Sequence, residues 1–178
     1  MMTTENTLDS TPEPPKTVRK TRRPRKKTAV KKLPSNPFMN EIFDLVAEQK
    51  TDAKKVAILK EYECDILKSL FIWNFDDSII SLLPEGKVPY KPNENPLGTD
   101  HSSLRREQRS LYNFVKGGND ALSTIRRETI FIQMLEGLHP KEAEIIIAVK
   151  DKALEDMYDV PFEVVEEAYP DIEWGGRS

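Results

Sequence analysis

Apolar side chains recur at helical spacing through most of the chain, and this pattern constrains the fold more than any other feature. Between residues 38 and 46 they fall every three or four positions, which places them on one stripe of a helix. Similar stripes run through residues 66–75, 122–135 and 143–149. Asn36 and Pro37 form a natural cap and first-turn pair for the first helix. The sequence therefore predicts an all-α, compact domain of six or seven helices.

Two details of this helical pattern are specific enough to test. A helix is expected to begin at Thr99 or Asp100 and to reach Val115, because Gly117 and Gly118 follow as a stop signal. The next predicted helix covers about residues 120–136, and its second half is apolar nearly all round. A helix of that kind is usually buried on all sides, so we expect it to be the central helix of the domain.

Prolines interrupt the helical pattern once. The stretch PEGKVPYKPNENPLG, residues 84–98, contains four prolines and two glycines. Proline lacks the backbone donor that helices and central strands need. We expect an irregular, extended segment that crosses the surface of the helical domain.

Positive charge is concentrated at one end of a chain whose formal net charge is −3. Residues 16–32, KTVRKTRRPRKKTAVKK, contain ten Lys or Arg and no acid, so residues 1–32 carry +7 and the remainder carries −10. Apolar residues are sparse here, which predicts a segment that does not fold alone. The predicted organisation is a disordered basic arm (1–36), a helical domain (37–170) and an acidic C-terminal tail (171–178).

The basic arm is expected to bind DNA or RNA. Lys and Arg contact phosphates and release counterions, which gives salt-sensitive binding without sequence specificity. TRRPRKK also resembles the minor-groove AT-hook, but it lacks the glycine of that motif. The alternative is a solvated tail that only aids solubility. The predicted nucleic-acid-binding residues are Arg19, Lys20, Arg22, Arg23, Arg25, Lys26, Lys27, Lys31 and Lys32.

Two further arginine pairs lie in the similar stretches SSLRRE (102–107) and STIRRE (123–128). Arg105, Arg106, Arg126 and Arg127 could form a second face that reads phosphates. We favour the alternative that they pair with neighbouring acids, since the rest of the chain carries −10 and repels a polyanion.

The end of the chain combines acids with apolar anchors. Tyr169, Ile172 and Trp174 lie in the stretch VVEEAYPDIEWGGRS, which is typical of peptides that dock into a hydrophobic groove. They are the predicted binding residues for an unidentified protein partner. In that case Trp174 is exposed in the free protein. The alternative is that Tyr169 and Trp174 fold back onto the domain.

Signatures of enzymes, metal sites and membranes are missing from the sequence. It has no phosphate-binding loop, zinc-protease or serine-hydrolase motif, and its two histidines, His101 and His139, are far apart. Cys64 is single and is expected to be a partly buried thiol near a helix start. No apolar run approaches the roughly 20 residues of a membrane span. We expect a non-enzymatic protein with no cofactor, no metal and no membrane partner.

Several long stretches resemble a known group of proteins. LLPEGKVPYKP, LYNFVKGGND, RRETIFIQMLEGLHPKEAEIIIAVKDKAL and VVEEAYPDI are similar to an uncharacterised family from T4-like tailed bacteriophages and cyanophages. The resemblance covers most of residues 37–170 and implies a viral protein in the host bacterial cytoplasm or in the virion. It brings no activity, cofactor or catalytic residue with it. The expected function is a phage accessory protein, an adaptor between nucleic acid and an unidentified phage or host protein. The alternative is a virion or head-assembly component whose arm contacts packaged DNA or an acidic scaffold.

Overall fold

The computed structural model describes residues 32–96 and 99–177. Within them the chain forms eight α-helices and one 3₁₀ helix and no strand, which confirms the all-α prediction. The α-helices are α1 (Met39–Ala47), α2 (Asp52–Glu61), α3 (Asp65–Phe75), α4 (Leu104–Glu107), α5 (Thr124–Gly137), α6 (Pro140–Lys150), α7 (Leu154–Tyr158) and α8 (Phe162–Ala168), and the 3₁₀ helix is Gln108–Phe114.

The first helix shows how local sequence and packing act together. Pro37 is buried before it, and the Glu41 carboxylate accepts the Phe38 N–H at 2.9 Å, which satisfies a free donor at the helix start. Its apolar stripe is buried, as the spacing predicted; the buried apolar residues are Met39, Ile42, Phe43, Leu45 and Val46. Burial of this stripe, more than helix propensity, stabilises so short a helix.

The central helix is α6 and not α5, so the sequence expectation was wrong here. Helix α6 packs against α1, α3, α5 and α7, and it buries Ala143, Ile145, Ile146 and Val149. Helix α5 buries only one face, and its Ile125 is 80% exposed. The apolar residues on the other side of α5 lie near the surface because no further helix covers them among the described residues.

The predicted long helix from residue 99 to 115 is also corrected. Helix α4 starts only at Leu104, and the chain then tightens into the 3₁₀ helix. Backbone pairing ends this region: the Leu82 N–H donates to the Phe114 carbonyl at 2.8 Å. The chain then folds back so closely that a Cβ on Gly118 would lie 1.9 Å from the Tyr112 carbonyl oxygen. Glycine is therefore required at position 118.

The proline-rich segment is irregular over its described residues, 84–96, as expected. Lys150 holds its start in place: the buried ammonium group donates to the Pro84 carbonyl at 2.8 Å and to the Gly86 carbonyl at 3.2 Å. Val88 and Tyr90 pack against the core from the same segment. The segment is thus attached to α6 by hydrogen bonds and to the core by apolar contact.

None of the helices in the described residues is both long enough and apolar enough to span a membrane.

Candidate functional site

Most of the basic arm lies outside the described residues. This applies to eight of the nine residues assigned to nucleic-acid binding, those between positions 19 and 31. Lys32 is described, and it is exposed. Leu33 follows it and packs against the core, and its N–H donates to the Tyr62 hydroxyl at 3.1 Å. The packed part of the chain thus begins by Leu33, before the boundary that the sequence suggested.

A pocket lies immediately after this point in the sequence. We call it the junction pocket; its volume is about 390 Å³. Three successive residues before α1 form one wall, and the start of α4 forms the other. The lining residues are Asn36, Pro37, Phe38, His101, Ser103, Arg105 and Arg106.

A buried carboxylate joins the two helix starts beside the junction pocket. Glu142 of α6 is fully buried and accepts the Met39 N–H at 2.8 Å and the Leu104 N–H at 2.9 Å. Burial raises the pKa of Glu142, while the two backbone hydrogen bonds and the charge of Arg105 oppose that rise. Glu142 therefore has a positioning role, because both of its oxygens are engaged by backbone donors.

Two histidines that are far apart in the sequence meet at the junction pocket. The rings of His101 and His139 are edge to face with centroids 5.3 Å apart, and Phe38 lies 5.8 Å from His139. Burial, followed by the charges of His101 and Lys141, lowers the pKa of His139. This lowering of the pKa favours the neutral form of the His139 imidazole. Sequence reasoning did not bring these rings together, since their contact depends on how α4 and α6 pack.

The junction pocket has the chemistry of a weak oxyanion contact. Within the described part of the chain, neither Arg105 nor Arg106 has a carboxylate within 4.0 Å. The Arg106 side chain is exposed. The positive charge of Arg105 acts on the buried Glu142, whose pKa it lowers. The pocket thus holds two guanidinium groups without an ion pair among the described residues, which suits a phosphate group better than it suits acid–base catalysis.

The four arginines of the two similar stretches have different roles. Arg127 is buried and donates to the carbonyls of Asn113 at 2.7 Å and Asn119 at 2.9 Å. It therefore ties α5 to the preceding loop and is not available to a phosphate. Arg126 is exposed and, like Arg105 and Arg106, has no ion pair among the described residues. The prediction that these four arginines pair with neighbouring acids was therefore wrong for the described residues.

The three predicted partner-binding residues lie against the helical domain. Tyr169 is 1% exposed and its hydroxyl donates to the Leu59 carbonyl at 2.6 Å. Ile172 is buried, and Trp174 is partly buried with its ring 5.0 Å from that of Phe162. The expectation that Trp174 is exposed in the free protein is therefore corrected. Binding of a partner by these three residues stays a prediction, and it would require the chain end to detach.

Asp76 fixes this chain end to the end of α3. Its carboxylate is 2% exposed and accepts bonds from the Ser78 hydroxyl at 2.6 Å, the Gly175 N–H at 3.0 Å and Arg177 at 2.8 Å. Burial alone would raise the pKa of Asp76, but these hydrogen bonds outweigh it and lower the pKa to about 2. Sequence spacing could not indicate this contact, since its partners are up to 101 residues apart.

No group of three or more His, Cys, Asp or Glu side chains is arranged to hold a metal ion in residues 32–96 and 99–177. Cys64 is a free, partly buried thiol at the N-cap of α3, as expected.

Comparison with known proteins identifies a family and no activity. A family model described as "Family of unknown function (DUF6433)" matches residues 42–156, which is well over half of the chain. No curated protein and no solved structure matches the chain significantly. The matched region runs from α1 to α7 and includes Glu142 and the α4 side of the junction pocket. The chain belongs to this family of unknown function.

Proposed function

We propose that the chain is a non-enzymatic phage accessory protein that binds DNA or RNA through its basic arm and a protein partner through its helical domain. The observation that carries this proposal is the separation of charge. Residues 1–32 carry +7 and the rest of the chain carries −10. A chain that only needed to remain in solution would not require both signs to be so strongly segregated.

The helical domain supports the assignment of nucleic-acid binding to the arm, because many of its own cations are already engaged. Ion pairs with carboxylates involve Lys55, Lys68, Lys141, Lys150, Lys152 and Arg177. Arg127 is bound to carbonyls. Arg105 and Arg106 line the junction pocket, have no ion pair among the described residues, and are therefore available as secondary phosphate contacts. The main electrostatic attraction is therefore assigned to residues 16–32.

The phage setting is supported by the resemblance of residues 37–170 to proteins of T4-like phages and cyanophages. The absence of catalytic motifs in the sequence is the basis for proposing a binding protein and not an enzyme. On this proposal the protein works in the host bacterial cytoplasm.

Binding to labelled nucleic acid tests the proposal directly. The full chain and a truncated chain of residues 33–178 are titrated against a short duplex DNA and a single-stranded RNA over a series of salt concentrations. If about five cations contact duplex phosphates, log K falls with log[salt] at a slope of about −4 to −5. The truncated chain should lose most of this affinity and most of the salt dependence.

A double variant separates the arm from the junction pocket. The double variant Arg105→Ala/Arg106→Ala removes two cations from the folded domain and leaves the arm intact. We expect it to weaken DNA binding only about threefold. If the truncated chain binds as tightly as the full chain, the arm is not the binding element and the proposal fails.

A second candidate, a virion or head-assembly component, is favoured by the same resemblance to tailed-phage proteins. The arm would then contact packaged DNA or an acidic scaffold. Detection of the protein in purified virions supports this candidate, and its restriction to infected-cell extract supports the accessory role.

A further inference from the structure

An apolar groove lies between α3 and the 3₁₀ helix, away from the residues that the sequence singled out. Its volume is about 280 Å³. Six of its lining residues are apolar or aromatic, two are uncharged polar residues (Ser69 and Gln108), and none is acidic. The apolar and aromatic lining residues are Ile72, Trp73, Ile79, Leu111, Tyr112 and Val115.

The groove is one of the places where the described surface leaves large apolar side chains uncovered. Tyr112 in its wall is 52% exposed, and Ile80, next to the lining residue Ile79, is 45% exposed. Only four large apolar side chains in the described residues are exposed, and one of them, Tyr112, lines the groove. A concave apolar site with an exposed aromatic side chain in its wall is typical of a protein interaction surface.

Positive charge accompanies the groove although the domain as a whole is acidic. Arg109 follows the lining residue Gln108, and Lys116 follows Val115. Both are exposed, and neither is ion-paired within the residues that the structure describes. An occupant with negative charge beside its apolar side chains would match this arrangement.

One hydrogen-bond donor of the groove wall is unused. The Trp73 Nε1–H is buried and has no acceptor among the described residues. A buried donor without a partner costs about 1–3 kcal/mol. A backbone carbonyl of an occupant could recover part of this cost only if the groove wall moved to uncover the indole N–H.

From these observations we propose that the groove binds an acidic peptide segment of a partner protein, with aliphatic side chains inserted between α3 and the 3₁₀ helix. This inference rests on the proposed function and gives the chemistry of its protein partner. Charge complementarity with Arg109 and Lys116 orients the peptide, and the apolar lining supplies affinity.

A peptide fits the groove better than a nucleic acid does. Trp73 is 3% exposed, and its ring is stacked on Phe114 at an angle of 15°, so it offers no free face to a base. The lining around it is largely aliphatic, which suits Leu or Ile side chains. Single-stranded nucleic acid requires open aromatic faces, and only Tyr112 provides one here.

Titration of the ¹⁵N-labelled full chain with designed peptides tests the inference. One peptide alternates Glu with Leu, a second replaces each Glu by Lys, and a third replaces each Leu by Ser. The Trp73 indole signal is assigned by comparison with a Trp174→Phe variant. We expect the Glu–Leu peptide to shift the Trp73 indole and the backbone signals of Leu111 and Val115, and both other peptides to bind at least tenfold more weakly.

Charge reversal provides a result that misfolding could not mimic. The variant Arg109→Glu/Lys116→Glu should lose the Glu–Leu peptide and gain affinity for the Lys–Leu peptide. The control Lys54→Glu/Lys60→Glu changes two exposed lysines of α2 and should keep the original preference.

Other outcomes overturn the inference. Shifts that follow oligothymidine but not the peptide would identify a nucleic-acid surface. Concentration-dependent shifts without any peptide would identify contact with a second copy of the chain. If neither the Trp73 indole nor Val115 responds to the Glu–Leu peptide, the groove is not its binding site. Because DNA binding by the arm is measured separately, failure here leaves the arm assignment intact.

Discussion

Glu142 shows how much one buried side chain can determine. It lies in the first turn of α6, where an acid is commonly a solvated residue that interacts with the helix dipole. Here the carboxylate instead accepts backbone donors from the first residues of α1 and α4. Three helices are thus held together by two hydrogen bonds to a charged acceptor, which are stronger than bonds to a neutral one.

Replacing Glu142 by Gln should destabilise the fold. An amide has one acceptor oxygen, so its NH₂ group would face either the Met39 or the Leu104 N–H. We expect the free energy of unfolding in urea at neutral pH to fall by about 2 kcal/mol. The matched control Glu144→Gln, an exposed position of the same helix, should change it by less than about 0.5 kcal/mol. Equal effects of the two substitutions would contradict the positioning role.

Asp76 gives a pH-dependent prediction. Its pKa in the folded protein is about 2, below the ordinary value of 3.8. A carboxyl with a lowered folded pKa stabilises the fold above its unfolded pKa, and this contribution is lost as the pH falls towards the folded pKa. The variant Asp76→Asn should therefore lose about 2 kcal/mol of stability near neutral pH and differ little from the native chain near pH 2.

The control for Asp76 is its neighbour. Asp77 is exposed and pairs with Lys152 at 3.2 Å, so Asp77→Asn should keep nearly the native dependence of stability on pH. Urea unfolding of the three proteins between about pH 2 and pH 5 makes the comparison. A constant difference between Asp76→Asn and the native chain at every pH would refute the assignment.

At the level of elements, the proline-rich segment depends on a contact from elsewhere in the chain. It has no helix of its own in residues 84–96, and its start is held by the buried Lys150 ammonium group at the end of α6. That group also pairs with Asp151. A buried cation with three acceptors is satisfied, but its removal leaves those acceptors without a donor.

The variant Lys150→Met should loosen this segment while preserving the volume of the side chain. The Pro84 and Gly86 carbonyls lose their shared donor, so we expect a loss of about 2 kcal/mol in stability. Trypsin cleavage after the exposed Lys87 should become faster. Lys141→Met, which removes only a half-exposed ion pair at 3.4 Å, is the control and should leave cleavage unchanged. Equal cleavage rates in both variants would show that Lys150 does not anchor the segment.

At the level of the whole molecule, the folded part of the chain should not need the basic arm. Residues 1–32 contain few apolar side chains, whereas Leu33 packs on the core. Removing residues 1–32 should therefore change the melting temperature by no more than about 2 °C. Removing residues 1–37 also deletes Leu33 and the buried Pro37, and should cost about 1–2 kcal/mol. Thermal unfolding followed by circular dichroism distinguishes the two deletions. A large fall in melting temperature after removal of residues 1–32 alone would show that the folded part needs the basic arm.

Local pattern was sufficient to predict most of the helices, because helical periodicity is a property of neighbouring residues. The stripe of α1, the buried α3 and the irregular proline-rich segment were all predicted in this way. The segregation of charge could also be predicted, since formal charge is counted directly from the residue types. Element boundaries were less accurate: α7 was missed, and the helix predicted to begin near residue 99 became α4 and the 3₁₀ helix.

Only the tertiary structure decided which charges are buried and which helix is central. Glu142 reaches donors that lie 103 and 38 residues away, and Asp76 reaches Arg177 across 101 residues. Such partners have no signature in sequence spacing, so each of these residues resembled a surface acid. Helix α5 looked more buried than α6 because periodicity reports the apolar faces of a helix and not whether another helix covers them. Burial is a property of how the elements pair, and that pairing is settled only when the whole chain folds.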